Sequence, residues 1–153
     1  MQKPQEADLA GQVRRAGMRA TPGRVAALDF LAANPHCTAA EVHAGISQQL
    51  PSLSMQSVHN VVNDLTEKSL LRRVDAPGAA RYETRTDDNH HHIRCVVCHR
   101  IEDVDCVTGQ APCLSPVGTT GMPVLLSADI TFQAVCSHCV DAWEASRASE
   151  ASP

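Results

Sequence analysis

A chain of 153 residues with 43% hydrophobic but only 3% aromatic content builds one ordinary core, or two small aliphatic ones that need a further staple. No stretch approaches the roughly 18 apolar residues of a membrane span, and the opening MQKPQEADLA lacks the basic-then-apolar pattern of a secretory leader, so a cytoplasmic location is expected. The net charge of −4 conceals an asymmetry: residues 1–86 hold ten Lys/Arg against eight Asp/Glu, which suits a polyanion, whereas residues 87–153 hold three against nine and most of the His and Cys, which suits cations.

The spacing predicts a helix over 7–16 with Gly17 as its stop. Thr21-Pro22 reads as an N-cap followed by a proline at the first helical position, and Val25, Leu28, Leu31 and Ala32 recur at helical spacing up to Asn34-Pro35. Thr38-Ala-Ala-Glu41 is a capping box for a third helix with Val42, Ile46 and Leu50 on one face, stopped by Pro51. Ser54 caps a fourth helix, which turns Val58, Val61, Val62 and Leu65 inward and Gln56, Ser57, His59, Asn60 and Asn63 outward. Residues 70–74 and 80–83 flank Asp75-Ala-Pro-Gly78 as a short hairpin. Helices followed by a hairpin make a winged helix-turn-helix. The fourth helix is then the recognition helix, its short polar side chains suited to base edges and phosphates, and Arg14, Arg15, Arg19 and Arg24 are candidate phosphate contacts. The same pattern also describes a small helical domain whose polar face meets only water.

After Thr86, Asp87-Asp88-Asn89 reads as a hinge and the character changes. Segments 93–97 and 101–104 read as strands on either side of a Cys95-x-x-Cys98 turn, and 124–126 and 130–135 offer further strand. Residues 109–123, with three prolines and three glycines, read as loop. A second pair, Cys136 and Cys139, follows the first after 37 intervening residues. Each pair places two thiolates at a turn, and two such turns supply the four soft ligands of a tetrahedral, closed, structural zinc. A thiol-redox or iron–thiolate protein uses the same residue types and stands as the alternative of another class. A zinc deaminase is disfavoured because neither pair follows a proline. Cys37, Cys106 and Cys113 are further thiols with a candidate redox role.

These segments resemble the ferric uptake regulator (Fur) superfamily over about residues 8–140. The resemblance is carried by Gly17-Met-Arg19-Ala-Thr21-Pro22-Gly-Arg24, His36-Cys-Thr38-Ala, the run from Ser54 to Leu65, Ala80-Arg-Tyr-Glu83, Asn89-His-His-His92 and the cysteine pairs. The stretch from Asp103 through Cys106 and Cys113 to Leu114 is similar to the actinobacterial FurA/CatR branch, peroxide-responsive repressors generally encoded beside a catalase-peroxidase. The resemblance implies an α+β chain with a winged helix-turn-helix DNA-binding domain over 1–84 and a hinge over 85–89. A zinc-containing α/β dimerisation domain follows over 90–142. Beyond it, the Ala, Ser and Glu after Trp143 read as a flexible tail over 143–153, disordered or a frayed helix.

It further implies a non-enzymatic homodimer on palindromic operator DNA, with structural Zn(II) on Cys95, Cys98, Cys136 and Cys139. Regulatory Fe(II) or Mn(II) would sit on His36, Glu83, His90, His92 and Asp103. DNA contacts fall on Arg19, Arg24, Ser54, Gln56, Ser57, His59 and Asn60. Three nitrogen and two oxygen donors also accept Zn(II), Ni(II) or Co(II), so an iron, zinc or nickel homeostasis regulator is the second reading. His59 stands where the family usually has Tyr, and Ser69 where it has Gly. Glu83 is like the iron sensors; the peroxide sensors have Asp there. Ala128 replaces a histidine of a further metal site, which is expected to be absent. His91, alternating away from His90 and His92, is expected to face solvent, as are His99 and His138.

Overall fold

The computed structural model describes residues 4–110, 112–114, 121, 124–126 and 128–150; Pro116, Gly118 and Pro123 of the expected loop lie outside the described residues. Two compact units divide between Thr86 and Asp87. Among the described residues no helix is long and apolar enough to cross a membrane.

The first unit is a winged helix built from α1 (Pro4–Arg15), α2 (Pro22–Ala33), β1 (Cys37–Thr38), α3 (Ala39–Ile46), α4 (Met55–Glu67), β2 (Arg72–Val74) and β3 (Arg81–Glu83). Its helices start where the sequence supplies oxygen acceptors for the free N–H groups of a first turn. Thr21 Oγ1 accepts from Arg24 N at 3.4 Å and Ser54 Oγ from Ser57 N at 3.1 Å. The capping box of α3 closes in both directions, from Glu41 N to Thr38 Oγ1 at 3.2 Å and from Thr38 N to Glu41 Oε2 at 2.7 Å. The helix ends at Ile46, so Leu50, expected on its apolar face, lies in the following turn. Val13, Leu28, Leu31, Val42, Val58, Val62 and Leu65 form the buried aliphatic core, and Tyr82 joins the wing to it. The wing is a three-stranded antiparallel sheet in the order β1-β3-β2, with Tyr82 between Cys37 and Arg73. The two-residue strand β1 was not expected. It is too short to show any periodicity, and only its partner β3 defines it.

Two helices of this unit end in the same way. After α1, Met18 N bonds Val13 O at 3.1 Å and Gly17 N bonds Arg14 O at 3.0 Å; after α4, Leu70 N bonds Leu65 O at 2.9 Å and Ser69 N bonds Thr66 O at 3.0 Å. Both are Schellman ends that need a left-handed residue. Gly17 (φ 77°) supplies it freely, whereas Ser69 is held at φ 56°.

The second unit carries β4 (His90–Cys95), β5 (Ile101–Asp105), β6 (Thr131–Ala134) and α5 (Val140–Glu150). Its sheet has the order β5-β4-β6, antiparallel between β4 and β5 and parallel between β4 and β6. Residues 124–126, expected as strand, are not one: Val124 and Leu126 are 70% and 80% exposed. A strand exists only where a ladder accepts it, and among the described residues these three pair with neither outer edge of the sheet. The segment from 143, expected to be a flexible tail that is disordered or a frayed helix, is helical as far as Glu150 as part of α5. That helix springs from the second cysteine turn, where Val140 N bonds Cys136 O at 3.0 Å and Trp143 N bonds Cys139 O at 3.0 Å. Arg147 stacks over the Trp143 ring at 4.9 Å.

Replacing Ser69 with Gly should stabilise the chain against urea by about 0.5–1 kcal/mol. The left-handed conformation costs an ordinary residue about 1–2 kcal/mol, partly offset by the greater entropy glycine loses on folding. An unchanged or lowered midpoint would remove the strain assigned to Ser69.

Candidate metal centres

The parallel pairing of β4 with β6 brings the two Cys-x-x-Cys turns to one end of the sheet. Cys95, the last residue of β4, lies beside Ala134, so Cys136 follows within reach. The first turn is tightened by His99 N donating to Cys95 O at 3.0 Å, with His99 itself at φ 62°. One donor sulfur from each of Cys95, Cys98, Cys136 and Cys139 lies within 4.8 Å of all the others. Cys98 Sγ and Cys136 Sγ are 3.7 Å apart. In a tetrahedron with Zn–S bonds of about 2.3 Å, the edge between sulfurs is about 3.8 Å, so the spacing fits. Backbone N–H groups of Cys98 and Cys136 hold the Cys95 thiol down at about 6, whereas the neighbouring sulfurs, Cys136 first, push Cys139 up to about 12. Four thiolates cannot share so small a volume without a cation to neutralise them. His99 and His138, beside these turns, are exposed as expected.

The first unit holds a buried donor pair. His36 Nε2 lies 2.8 Å from Glu83 Oε2, with Glu83 0% and His36 8% exposed. His36 sits at φ 62°, a conformation that few residues other than glycine adopt. It is held there from both sides: its N–H donates to Tyr82 O at 2.9 Å, and its carbonyl accepts from Arg81 Nη1 at 2.8 Å. Arg72 Nε stands 3.8 Å from the other Glu83 oxygen. A carboxylate so deeply buried needs these partners, because desolvating an uncompensated charge is strongly unfavourable.

The second unit holds a triad of two buried histidines and the half-buried Asp103. The register sets His92 directly across from Asp103, and alternation puts His90 on the same face of β4. The Asp103 Oδ1 atom is 3.8 Å from His90 Nε2 and 3.6 Å from His92 Nε2, and the two rings meet edge to face at 5.0 Å. Sequence reasoning passed over Asp88, whose Oδ1 is 2.8 Å from His90 Nδ1. A carboxylate at Nδ1 fixes the imidazole so that Nε2 is the ligating atom. The spacing of a carboxylate two residues before the histidine was the available signal.

His91 corrects an expectation. It alternates away from its neighbours but is 5% exposed, not solvent-facing, with Cys113 Sγ 3.2 Å from His91 Nε2. Cys106 contacts Thr108 Oγ1 at 3.1 Å. Burial, followed by the charge of Glu41, pushes the Cys37 thiol up, the wrong direction for an oxidant-sensitive cysteine.

On α4 and its flanks, Arg19, Ser54, Gln56, His59 and Asn60 are exposed and Ser57 is half-buried. Ser54 and Ser57 are engaged in the cap, their hydroxyls 2.9 Å apart, and Gln56 Nε2 donates to Asn60 Oδ1 at 3.1 Å. Arg24 is committed elsewhere, to the Asp64 carboxylate and, at 2.9 Å, to the Arg19 carbonyl. It ties α2 to α4.

The match to the ferric uptake regulator family spans residues 15–109. The chain belongs to this family. Among Fur-family relatives, the "Transcriptional regulator FurA" of Mycobacterium tuberculosis is 40% identical over 133 residues, covering 86% of this chain and 90% of the relative. "Ferric uptake regulation protein 1" of Mycolicibacterium fortuitum is 42% identical over 118 residues, covering 76% and 73%. The fold is that of the Helicobacter pylori ferric uptake regulator Fur, with a TM-score of 0.65 at 18% identity over 88% of this chain and 90% of that one. Fur-family membership makes the chain a transcriptional regulator.

Cys98→Ser should lose the tightly held cation of the four-cysteine cluster and, with it, the cooperative unfolding of the second unit. Metal analysis of the purified chain and thermal unfolding by circular dichroism measure the two losses together; a metal-free second unit that melts normally would reject a structural role.

Proposed function

We propose that the chain is a metal-dependent, DNA-binding repressor of the FurA type that senses peroxide through one regulatory cation shared by its two units. The observation that carries this reading is that each unit buries an incomplete donor set of its own. His36 and Glu83 supply one nitrogen and an oxygen donor, while His90, His92 and Asp103 supply two nitrogens and another. A cation that takes ligands from both sets favours the one domain arrangement in which they converge. If that arrangement also fits the two winged helices of a homodimer to a palindromic operator, metal binding is linked to DNA affinity. The structural cation at the four-cysteine cluster is Zn(II), consistent with four soft ligands and the 3.7 Å sulfur spacing. DNA contacts are assigned to Arg19, Ser54, Gln56, Ser57, His59 and Asn60, with Arg24 acting by holding α2 against α4.

Nitrogen and carboxylate donors suit Fe(II) or Mn(II). Iron held by these residues would supply the electron that reduces peroxide, and His36 and His90, as its proposed ligands, would be the side chains open to the oxidation that follows. The similarity of residues 103–114 to the FurA/CatR branch favours a catalase-peroxidase operon and the regulator's own gene as targets. Glu83, the carboxylate typical of iron sensors, keeps iron homeostasis as the second reading.

His90→Ala and Glu83→Ala should each abolish metal-dependent binding to the promoter of the chain's own operon while leaving one zinc per chain. Unchanged DNA affinity in either variant would reject the shared site. Asp88→Ala, which frees the His90 ring, should weaken the regulatory metal by about 10–100-fold without touching a ligand, as read by metal titration of DNA binding. Peroxide should release DNA from the iron form far more than from the manganese form; equal release from both would move the sensing to cysteine.

A further inference from the structure

A third group of metal-ligating side chains lies in the second unit and shares no residue with either donor set above. His91 Nε2, Cys106 Sγ and Cys113 Sγ all fall within 4.8 Å of one another, with 3.2 Å between His91 and Cys113. They converge from β4, from the residue just after β5, and from a segment 22 residues beyond His91. His91 is 5% exposed, and its buried Nδ1 has no hydrogen-bond partner among the described residues. Val104, Leu114, Ile130 and Phe132 line the cavity around them, about 210 Å³ in volume.

An imidazole and two thiols facing a largely apolar cavity are poorly served by packing alone, since burying polar groups is unfavourable unless each is satisfied. They are well matched to one kind of ligand. Sulfur and imidazole together select a soft or borderline cation over Mg(II), Ca(II) or Mn(II). A divalent cation with two thiolates is electrically neutral, whereas a monovalent cation leaves a net negative charge beside largely apolar side chains. Cys106 Sγ also meets the Thr108 hydroxyl at 3.1 Å.

We propose that His91, Cys106 and Cys113 bind a second thiolate-ligated divalent cation of the Zn(II) type, with a fourth coordination position left to solvent. The site is independent of the shared regulatory site: it uses thiolates and no carboxylate, and all of its ligands belong to one unit.

The test uses the full, reduced chain carrying zinc in its four-cysteine cluster, with His90→Ala introduced to empty the nitrogen–oxygen site. One equivalent of Co(II) should then produce thiolate-to-cobalt charge-transfer absorption in the near ultraviolet, and Zn(II) added first should block it. Cys106→Ser with Cys113→Ser should abolish the band; His91→Ala should keep it but weaken affinity by about tenfold or more. Absence of the band, or its persistence in the double serine variant, overturns the proposal. A second arm leaves all three side chains native: Zn(II) should slow alkylation of Cys106 and Cys113 by about tenfold or more, read by peptide mass spectrometry. Unprotected thiols, or a Cys106–Cys113 disulfide that forms equally with and without zinc, likewise overturn it. None of these readouts involves DNA, so the repressor reading stands or falls separately.

Discussion

The central strand of a small sheet ordinarily buries aliphatic side chains, and β4 buries three consecutive histidines and a cysteine instead. Everything distinctive in the second unit depends on how that polar interior is satisfied. Valines and leucines that would normally fill such a core are outside it: Val96, Val97, Val107 and Leu114 are exposed. Burial of apolar area within one chain therefore contributes little here, and the metal ligation proposed above would supply part of what is missing, as it does in other domains too small for a full core. The two neighbours of β4 divide the work. Antiparallel β5 sets a carboxylate across from His92, and parallel β6 carries the second cysteine pair to the end of the strand where the first pair waits.

The first unit is stabilised in the conventional way, by aliphatic burial and well-made helix ends, and its legibility followed from that. Thr21, Thr38 and Ser54 were readable as caps because capping is decided by residues three apart in sequence. The stripe of Val58, Val62 and Leu65 was readable for the same local reason. What escaped notice was set by partners distant in sequence. Strand β1 exists through Tyr82, more than forty residues away. The burial of His91 is decided in part by Cys113, on the far side of a stretch with no regular pattern, and the helix after Cys139 is started by a cysteine turn, not by an amphipathic repeat. For the metal ligands, spacing alone found the four cysteines. The run His90-His91-His92 beside the first pair also stood out as a candidate second site, whereas its proposed partners His36, Glu83 and Asp103 are scattered singly and became legible only through the family resemblance.

Backbone strain divides between the two kinds of centre. Among the described non-glycine residues, three adopt positive φ: His36, Ser69 and His99. One is a donor in the first unit, one follows the first cysteine pair, and one closes the helix that bears the polar face. His36 is the most constrained, since Tyr82 and Arg81 grip its backbone while Glu83 receives its ring. Its orientation is thus over-determined by the wing, and wing residues with no ligating atom still decide where the imidazole points.

The joining of β4 to β6 also has a consequence for chain length. A four-thiolate clip across Cys98 and Cys136 closes a loop of 37 intervening residues, and the entropy of closing such a loop grows only with the logarithm of its length. Doubling it would add just about 0.6 kcal/mol. Once β5 has been laid down, the stretch from 106 to 130 is therefore free to lengthen, shorten or acquire new side chains without loosening the end of the sheet. A protein built this way can vary the chemistry of that stretch while its cross-link stays fixed.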